Sequence, residues 1–553
     1  MRSRLWTGTE WILIAICAVI PALSVLGSDY FVSPRGDDRG DGLSELTAWK
    51  TVARVNAAAF QPGDRILFER GGEWRESLQA SSSGEAGKPV VYRAYGKGAK
   101  PKFWGSVVLD NSAFTLDQGT TYKITTTFGV DRHCGIAVDH VLMKWIGFAD
   151  NAGRMAAMRS KPGSAIVDDG YPSVHPDHSV IYINTGGSDP RTDGKIYTAC
   201  VRDNVIHSSY KNYVTFQDLV VDETAILEMG FGVRIDGGKG VRLERCEAYR
   251  VGAAHFAFVD GDASEPNVGD QLYAAYAMRN QPSIQCSAFF SRLSANVEWI
   301  DCVAKHLELN DDGATYRVLT ALGTGKVLAK NMTCTGHGGG AMYFADSAKV
   351  TVKGGVFENC NVEQWSGGLV FDGVTFTGSS WMNVWSKDNT YENCLFADIA
   401  PPEGGVFFFR DKASGNTVRF CTIIPVRGAC LQFGGSAPGT SWYGNVMLGT
   451  VSYGGNPNDI ATADHNLYAV AQESIMGQPW SEWRAAGRDT QSIIGDPRFA
   501  DPVGGNYKLE PTSPAVDAET GTQFTPKSDL ALNARPNGKA ADIGALESGT
   551  LAK

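Results

Sequence analysis

Beyond Leu26 the 553-residue sequence has no apolar run long enough to cross a bilayer. It has no long block of basic residues, and its formal charge is −10, so nucleic acid is not an expected partner. An acidic surface gives no general pull on acidic polysaccharides either. A polyanionic substrate would need local Arg or Lys, or a bridging cation. The 11 cysteines never fall in a CxxC pair, which removes the usual zinc spacing.

The one long apolar run lies at the start. Arg2 and Arg4 precede a stretch from Trp11 to Leu26, and the small residues Gly27 and Ser28 follow. The run is short for a span and carries Pro21. It reads as an export signal over residues 1–27, cleaved near Gly27. A secreted or periplasmic product is expected, with no membrane attachment after cleavage. Cys17 lies in that signal, and ten cysteines remain after it.

What is abundant is glycine, at 64 residues, together with 10% aromatics. That composition suits many short strands separated by turns. A pattern of apolar residues at i, i+2, i+5 and i+7 recurs along the chain. It appears as Val214, Phe216, Leu219 and Val221, then as Val241, Leu243, Cys246 and Ala248. Later copies centre on Cys302, Met332, Gly355, Val374, Cys394, Cys421 and Asn445, 19 to 30 residues apart, and an early one on Ile146. Two period-2 runs with a one-residue slip imply two strands meeting at a bend. A further strand follows many bends, as in GVRID at 232–236 and GVFFFRD at 405–411. Three short strands per repeat predict an all-β chain folded as a right-handed parallel β-helix, each coil covering the apolar face of the next. Cys246, Cys302, Cys394 and Cys421 share one inward position and should stack as small apolar fillers.

Solenoid ends need covering. Residues 45–60 place Trp49, Val52, Val55 and Ala59 at helical spacing, which predicts an N-terminal helical cap. The expected organisation is a signal peptide over 1–27, cap and first strands over 28–105, coils over 106–470, and a C-terminal tail over 471–553. Insertions are expected near 153–210 and 261–295, the second with a helix around Gln271 to Met278. Long insertions on a solenoid overhang one face and build sites.

Three stretches carry a family resemblance: YFVSPRGDDRGDG with the residues up to 72, the coils themselves, and GDPRFADPVGGNYKLEPTSPAVDA (495–518) with ADIGALE (541–547). The sequence resembles secreted right-handed β-helix proteins of the pectate-lyase-like superfamily. The resemblance implies the fold. It leaves the reaction open, because lyases, hydrolases, epimerases and non-enzymes share that fold.

LNDDGATYR (309–317) offers an adjacent aspartate pair, Asp311 and Asp312. His337, in GHGGG, follows Asp312 by 25 residues, about one coil. One strand step would place it about 5 Å away. Two carboxylates and a histidine suit acid/base glycoside cleavage. Polygalacturonase-type hydrolases carry such a pair one coil before a Gly-His-Gly, and Asp311, Asp312 and His337 match those motifs. Their Asn-Thr-Asp and Arg-Ile-Lys motifs are absent here. Turn residues on a glycine-rich repeat are the plain alternative.

A lyase needs a base beside a uronate carboxylate and a cation to neutralise the developing charge. Arg317, assigned to catalysis, and Arg234, Tyr316, Lys387 and Arg410, assigned to substrate, lie on or near third strands. Trp385 offers a ring for sugar, and His255 borders the same face. Calcium is the candidate cofactor, with Asp236, Asp260, Asp346, Asp388 and Asp411 recurring near strand ends; turn formation by these Asp competes. The leading expectation is a polysaccharide lyase acting on uronate-containing glycans. The alternatives are a glycoside hydrolase using Asp311 and Asp312, and a non-catalytic glycan-binding protein. The partner is a polysaccharide, and a monomer is expected.

Overall fold

The computed structural model describes residues 27–128, 134–146, 151–168, 179–225, 230–277, 286–293, 296–305, 316–323, 325–335, 340–346, 348–401, 404–452, 454–470, 472–520 and 525–548. Among them, no helix is long and apolar enough to cross a membrane.

The chain winds as a right-handed parallel β-helix with three strands per coil. The bend predicted from the one-residue slip has a clear backbone cause. The residue at i+4 takes the left-handed conformation in coil after coil: Asp218 (φ 57°), Arg245 (51°), Asp301 (52°), Asn331 (53°), Gly373 (66°) and Asn393 (55°). That conformation turns the chain sharply, and Gly, Asn and Asp reach it at least cost. The flanking inward residues then pack on their equivalents one coil away. Phe371 stacks on Tyr391 at 5.4 Å, and Phe376 on Phe396 at 5.1 Å. Face-on ring pairs at strand spacing knit the core along the helix axis.

None of the ten described cysteines is in a disulfide, and all ten are buried. The four equivalent ones act alike. Each Sγ–H donates to a carbonyl of the preceding coil: Cys246 to Phe216, Cys302 to Gly269, Cys394 to Phe371 and Cys421 to Tyr391, at 3.4–3.5 Å. In the last coils asparagine takes the position, and Asn445 Nδ2 donates to the Val418 carbonyl at 2.9 Å.

Three expectations are corrected. Ile146 does not centre a coil; it packs with Met158 and Ile166 in a cluster of its own. The helix expected around Gln271 to Met278 is the strand Tyr273–Ala277, and Gln271 supplies the left-handed bend (φ 52°). That coil escaped notice because its inward residues are small. A Cβ on Gly269 would sit 2.5 Å from the Trp299 ring, so Trp299 fills the space that Gly269 leaves. Finally, the cap helix spans only Val52–Asn56, with Thr51 accepting from the Arg54 amide. Trp49, Val52 and Val55 are buried as expected. Ala59 lies beyond the helix and is exposed, and Phe60 fills the core instead.

The chain leaves the coils at Gly105 and rejoins them at Asn204–Ser209. In between it forms two largely antiparallel sheets of four and five strands, a helix Asn151–Arg159 and a separate apolar core. This excursion is pinned to the coils by buried charge. Glu223 accepts from Ser106 Oγ at 2.5 Å, and His140 Nδ1 lies 2.5 Å from its other oxygen. Its neighbour Asp222, whose carboxyl is pushed up by burial, pairs with Lys102 at 3.2 Å and with Arg250. At the far end the helix Trp480–Ala485 brings Trp483 onto Trp442 (5.8 Å) and covers the last coils.

Candidate functional site

The third strand of each coil contributes to a single twelve-stranded sheet. In chain order its strands are β1 (Leu78–Gln79), β2 (Asn204–Ser209), β3 (Phe231–Asp236), β4 (Ala254–Val259), β5 (Ser287–Arg292), β6 (Tyr316–Leu322), β7 (Gly340–Ala345), β8 (Cys360–Gln364), β9 (Trp381–Val384), β10 (Gly405–Phe409), β11 (Ala429–Phe433) and β12 (Thr450–Ser452). Alternation splits their side chains between core and outside. Leu319, Met342, Val362, Met382 and Phe407 point inward in one register row. The next row, Thr320, Tyr343, Glu363, Asn383 and Phe408, points outward.

That outer row holds a linked polar constellation. Arg410 Nε donates to Asn383 Oδ1 at 2.7 Å, and Asn383 Nδ2 donates to both Glu363 oxygens at 3.0–3.1 Å. A guanidinium only donates and a carboxylate only accepts, so this fixes the amide orientation. On the other side of Glu363, Arg317 lies with its guanidinium 3.7 Å from the centre of the Tyr343 ring. One carboxylate therefore sits between two arginine-bearing strands.

Aromatic rings border it. Trp365 and Trp385, 20 residues and one coil apart, stack at 4.8 Å and 7°. They remain 51% and 37% exposed, although rings of this size are normally hidden. Arg410 lies 5.1 Å from the Trp385 ring and 3.7 Å from Phe408. Trp385 is thus sandwiched between Trp365 and Arg410. On the preceding strand the residue level with Trp365 is Ala345, a short side chain, and Trp365 stays half exposed. Trp381 Nε1 and Asn361 Oδ1, on adjacent strands of the same sheet, are buried without a hydrogen-bond partner among the described residues.

The residues singled out from the sequence fall into four groups. Asp311, Asp312 and His337 lie outside the described residues. Trp385 and Arg410 meet on the outer face beside Glu363, while Arg317, itself buried, packs on the Tyr343 ring one strand away. Lys387 is exposed in the turn beyond β9. Arg234 shares that face but is five strands from Glu363, held by Asp236 at 2.9 Å. The fourth group is a correction: His255 and Tyr316, assigned to substrate contact, are sealed inside. His255 Nδ1 accepts from the Tyr316 hydroxyl at 2.5 Å, and its Nε2–H donates to the Ala275 carbonyl at 3.0 Å. Burial lowers the His255 pKa to about 4 and keeps the ring neutral. Tyr316 does not face solvent because a bulge between Arg317 and Leu319 shifts the alternation and turns it into the core, and His255 is fully buried beside it.

Among the described residues, no three His, Cys, Asp or Glu side chains gather as a metal site. Asp260, Asp346 and Asp388 instead take left-handed turns (φ 54–60°), and Asp236 pairs with Arg234 and His207.

The reading from the sequence missed Glu363, Asn383, Tyr343 and Trp365. The signal was present in the 20-residue period: NVEQW (361–365) and WMNVW (381–385) align strand for strand and end on the stacked tryptophans.

A family profile described as "Right handed beta helix region" matches residues 314–447, the span that carries this site. A lacto-N-biosidase from Bifidobacterium longum subsp. longum is 37% identical over 75 residues, which is 13% of this chain and 5% of that protein. Among solved structures, XylC in complex with xylose overlays with a TM-score of 0.54 at 10% identity, covering 94% of this chain and 99% of that one. A mannuronic acid-specific polysaccharide family 6 lyase from human gut microbiota overlays with a TM-score of 0.48 at 10% identity, over 85% and 92% of the two chains. At 10% identity the likeness to XylC is one of fold, and it agrees with the resemblance carried by the cap and the coils.

Proposed function

We propose that this chain binds a polysaccharide containing acidic sugars along the outer face of the twelve-stranded sheet and cleaves it beside Glu363. The observation that carries the reading is the joint placement of Glu363, Arg317, Arg410 and the half-exposed Trp365–Trp385 stack on one face. From β6 to β10 is four strand steps, about 19 Å at 4.8 Å per step. That length suits several sugar units of an extended chain. Rings stack on sugar faces, and guanidinium groups grip carboxylates.

The favoured reaction is β-elimination. A base on this face, for which Glu363 is positioned, takes the proton from the ring carbon beside the uronate carboxylate. An arginine stabilises the negative charge that develops on that carboxylate. The neighbouring carbon–oxygen bond then breaks, its electron pair leaves with the oxygen, a carbon–carbon double bond forms, and the leaving oxygen takes up a proton. Hydrolysis is the second reading. It takes Asp311 and Asp312 as acid and base with His337 orienting, and it is supported by their sequence motifs, a short way before and after Arg317. Export through residues 1–27, a monomeric state and a calcium requirement belong to the proposal as well.

The test is incubation of the mature protein with pectin, alginate, glycosaminoglycans and neutral glycans, reading unsaturated products by ultraviolet absorbance and reducing ends in parallel. Both signals mean elimination; reducing ends alone mean hydrolysis. Neither signal across the panel contradicts cleavage and leaves a glycan-binding protein. Loss of activity with a chelator, restored by calcium, is the result expected for the metal-assisted form.

A further inference from the structure

The outer surface of the first coils holds a cleft of about 360 Å³, remote from Glu363. Six strand steps separate Val90–Tyr95 from Lys349–Glu358, the strand just before β8, or about 29 Å at 4.8 Å per step. Three arginines line the cleft: Arg65, Arg70 and Arg93, together with Tyr95, Asp29 and an apolar floor at Leu67. The register explains why they meet. Leu67 pairs with Arg93 across neighbouring parallel strands, so both side chains leave the sheet side by side. Arg65 and Arg70 bracket the same strand.

The charges there are not balanced. Asp29 is taken up by Arg65, whose Nε and Nη2 reach its two oxygens at 2.5 and 2.7 Å. Arg70 approaches Asp218 only to 3.9 Å, and Arg245 already grips that carboxylate at 3.0 and 3.1 Å. Arg93 makes no hydrogen bond or ion pair with a described residue. Glu69, beyond Tyr95, is engaged by Ser33 and Arg35. Burial, helped by Glu69, pushes the Tyr95 hydroxyl up to about 12, so it stays a donor. In a chain of formal charge −10, a cleft with three guanidinium groups and one carboxylate is a local reversal of sign.

We propose that this cleft is a second glycan-binding site, in which Arg93 takes a carboxylate or sulfate ester of an acidic saccharide through its two-pronged guanidinium. Tyr95 and Arg70 supply further donors, and Leu67 backs the sugar ring. The choice of a saccharide as carrier rests on the function proposed above; the oxyanion itself rests on the arginines alone. A site so far from Glu363 holds another part of a long chain. It lowers KM for polymers and leaves short oligomers and kcat untouched.

The experiment uses the full mature chain carrying Trp365→Ala, which weakens binding on the sheet face, with and without Arg93→Gln. Calorimetric titration with oligogalacturonate and with inorganic sulfate, each at low and high salt, reads the cleft. The expected result is saccharide binding that salt weakens and that Arg93→Gln reduces at least tenfold, with partial retention in Arg93→Lys and Tyr95→Phe. In the otherwise unaltered enzyme, Arg93→Gln should raise KM for polymer only. Saccharide binding unaffected by Arg93→Gln would overturn the proposal, as would sulfate binding that no acidic saccharide can displace. Arg93-dependent saccharide binding in a protein that cleaves nothing would leave this site standing and remove only the catalytic reading.

Discussion

Replacing Trp365 with Ala removes the open ring face on the sheet while leaving the core intact. Trp365 is half exposed, and its inner contact is the Trp385 ring at 4.8 Å. One free face is roughly 80 Å² of the 150–250 Å² that an aromatic side chain carries, and at about 25 cal/mol per Å² its coverage by a sugar is worth about 2 kcal/mol. That corresponds to about a 30-fold rise in Kd. The cost to folding is the lost ring pair, about 0.5–1.5 kcal/mol. Trp385→Ala should act more weakly, because Trp385 is covered on both sides and only props its neighbour. The expected order in KM is Trp365→Ala above Trp385→Ala above the unaltered chain, with kcat nearly constant and Trp365→Phe close to unaltered. Calorimetry with an acidic oligosaccharide and steady-state kinetics read both quantities. A Trp365→Ala affinity within twofold of the unaltered chain would refute the reasoning, and so would a larger effect at Trp385.

Glu363→Gln keeps the shape and the Asn383 contact but removes the base; turnover should fall about 10²- to 10⁴-fold with little change in melting temperature, and an unchanged kcat would remove Glu363 from the chemistry. His255 is neutral in the fold, with its pKa lowered from 6.5 to about 4 by burial. Its contribution is complete above about pH 6.5 and is lost as pH falls from there to 4, by about 3 kcal/mol at most; urea unfolding at pH 7 and 4.5 should show a smaller pH difference in His255→Gln than in the unaltered chain, and equal differences would contradict it. The ten described thiols are buried and form no disulfide with one another; a thiol reagent should find almost none in the native mature chain and ten after unfolding, whereas fewer after unfolding without reductant would indicate disulfides.

Much of the coil architecture was legible because it rests on a one-dimensional rule. The i, i+2, i+5, i+7 pattern records two strands and a bend, and Asp218, Asn331 and Asn393 at i+4 are the residue types that favour the left-handed turn. The rule failed where inward residues are small, as at Gly269 and Ala274, since a complementary Trp299 does the filling and leaves no local trace. It also misled at Ile146, because strands of an antiparallel excursion alternate as coil strands do. The site was half legible. Arg317, Arg410 and Trp385 were found as isolated residue types, but the sequence could not say that Asn383 bridges Arg410 to Glu363 across three strands. Tyr316 and His255 were misplaced for a related reason: the bulge before Leu319 moves Tyr316 inward, and nothing in the residue order announces it.

The most direct test is a crystal structure of the Glu363→Gln chain with the acidic oligosaccharide that the native enzyme cleaves. The account predicts sugar density along the outer face from β6 to β10, with one ring on the open face of Trp365 and a carboxylate at Arg317 or Arg410. Sugar bound elsewhere, with that face left empty, would contradict it.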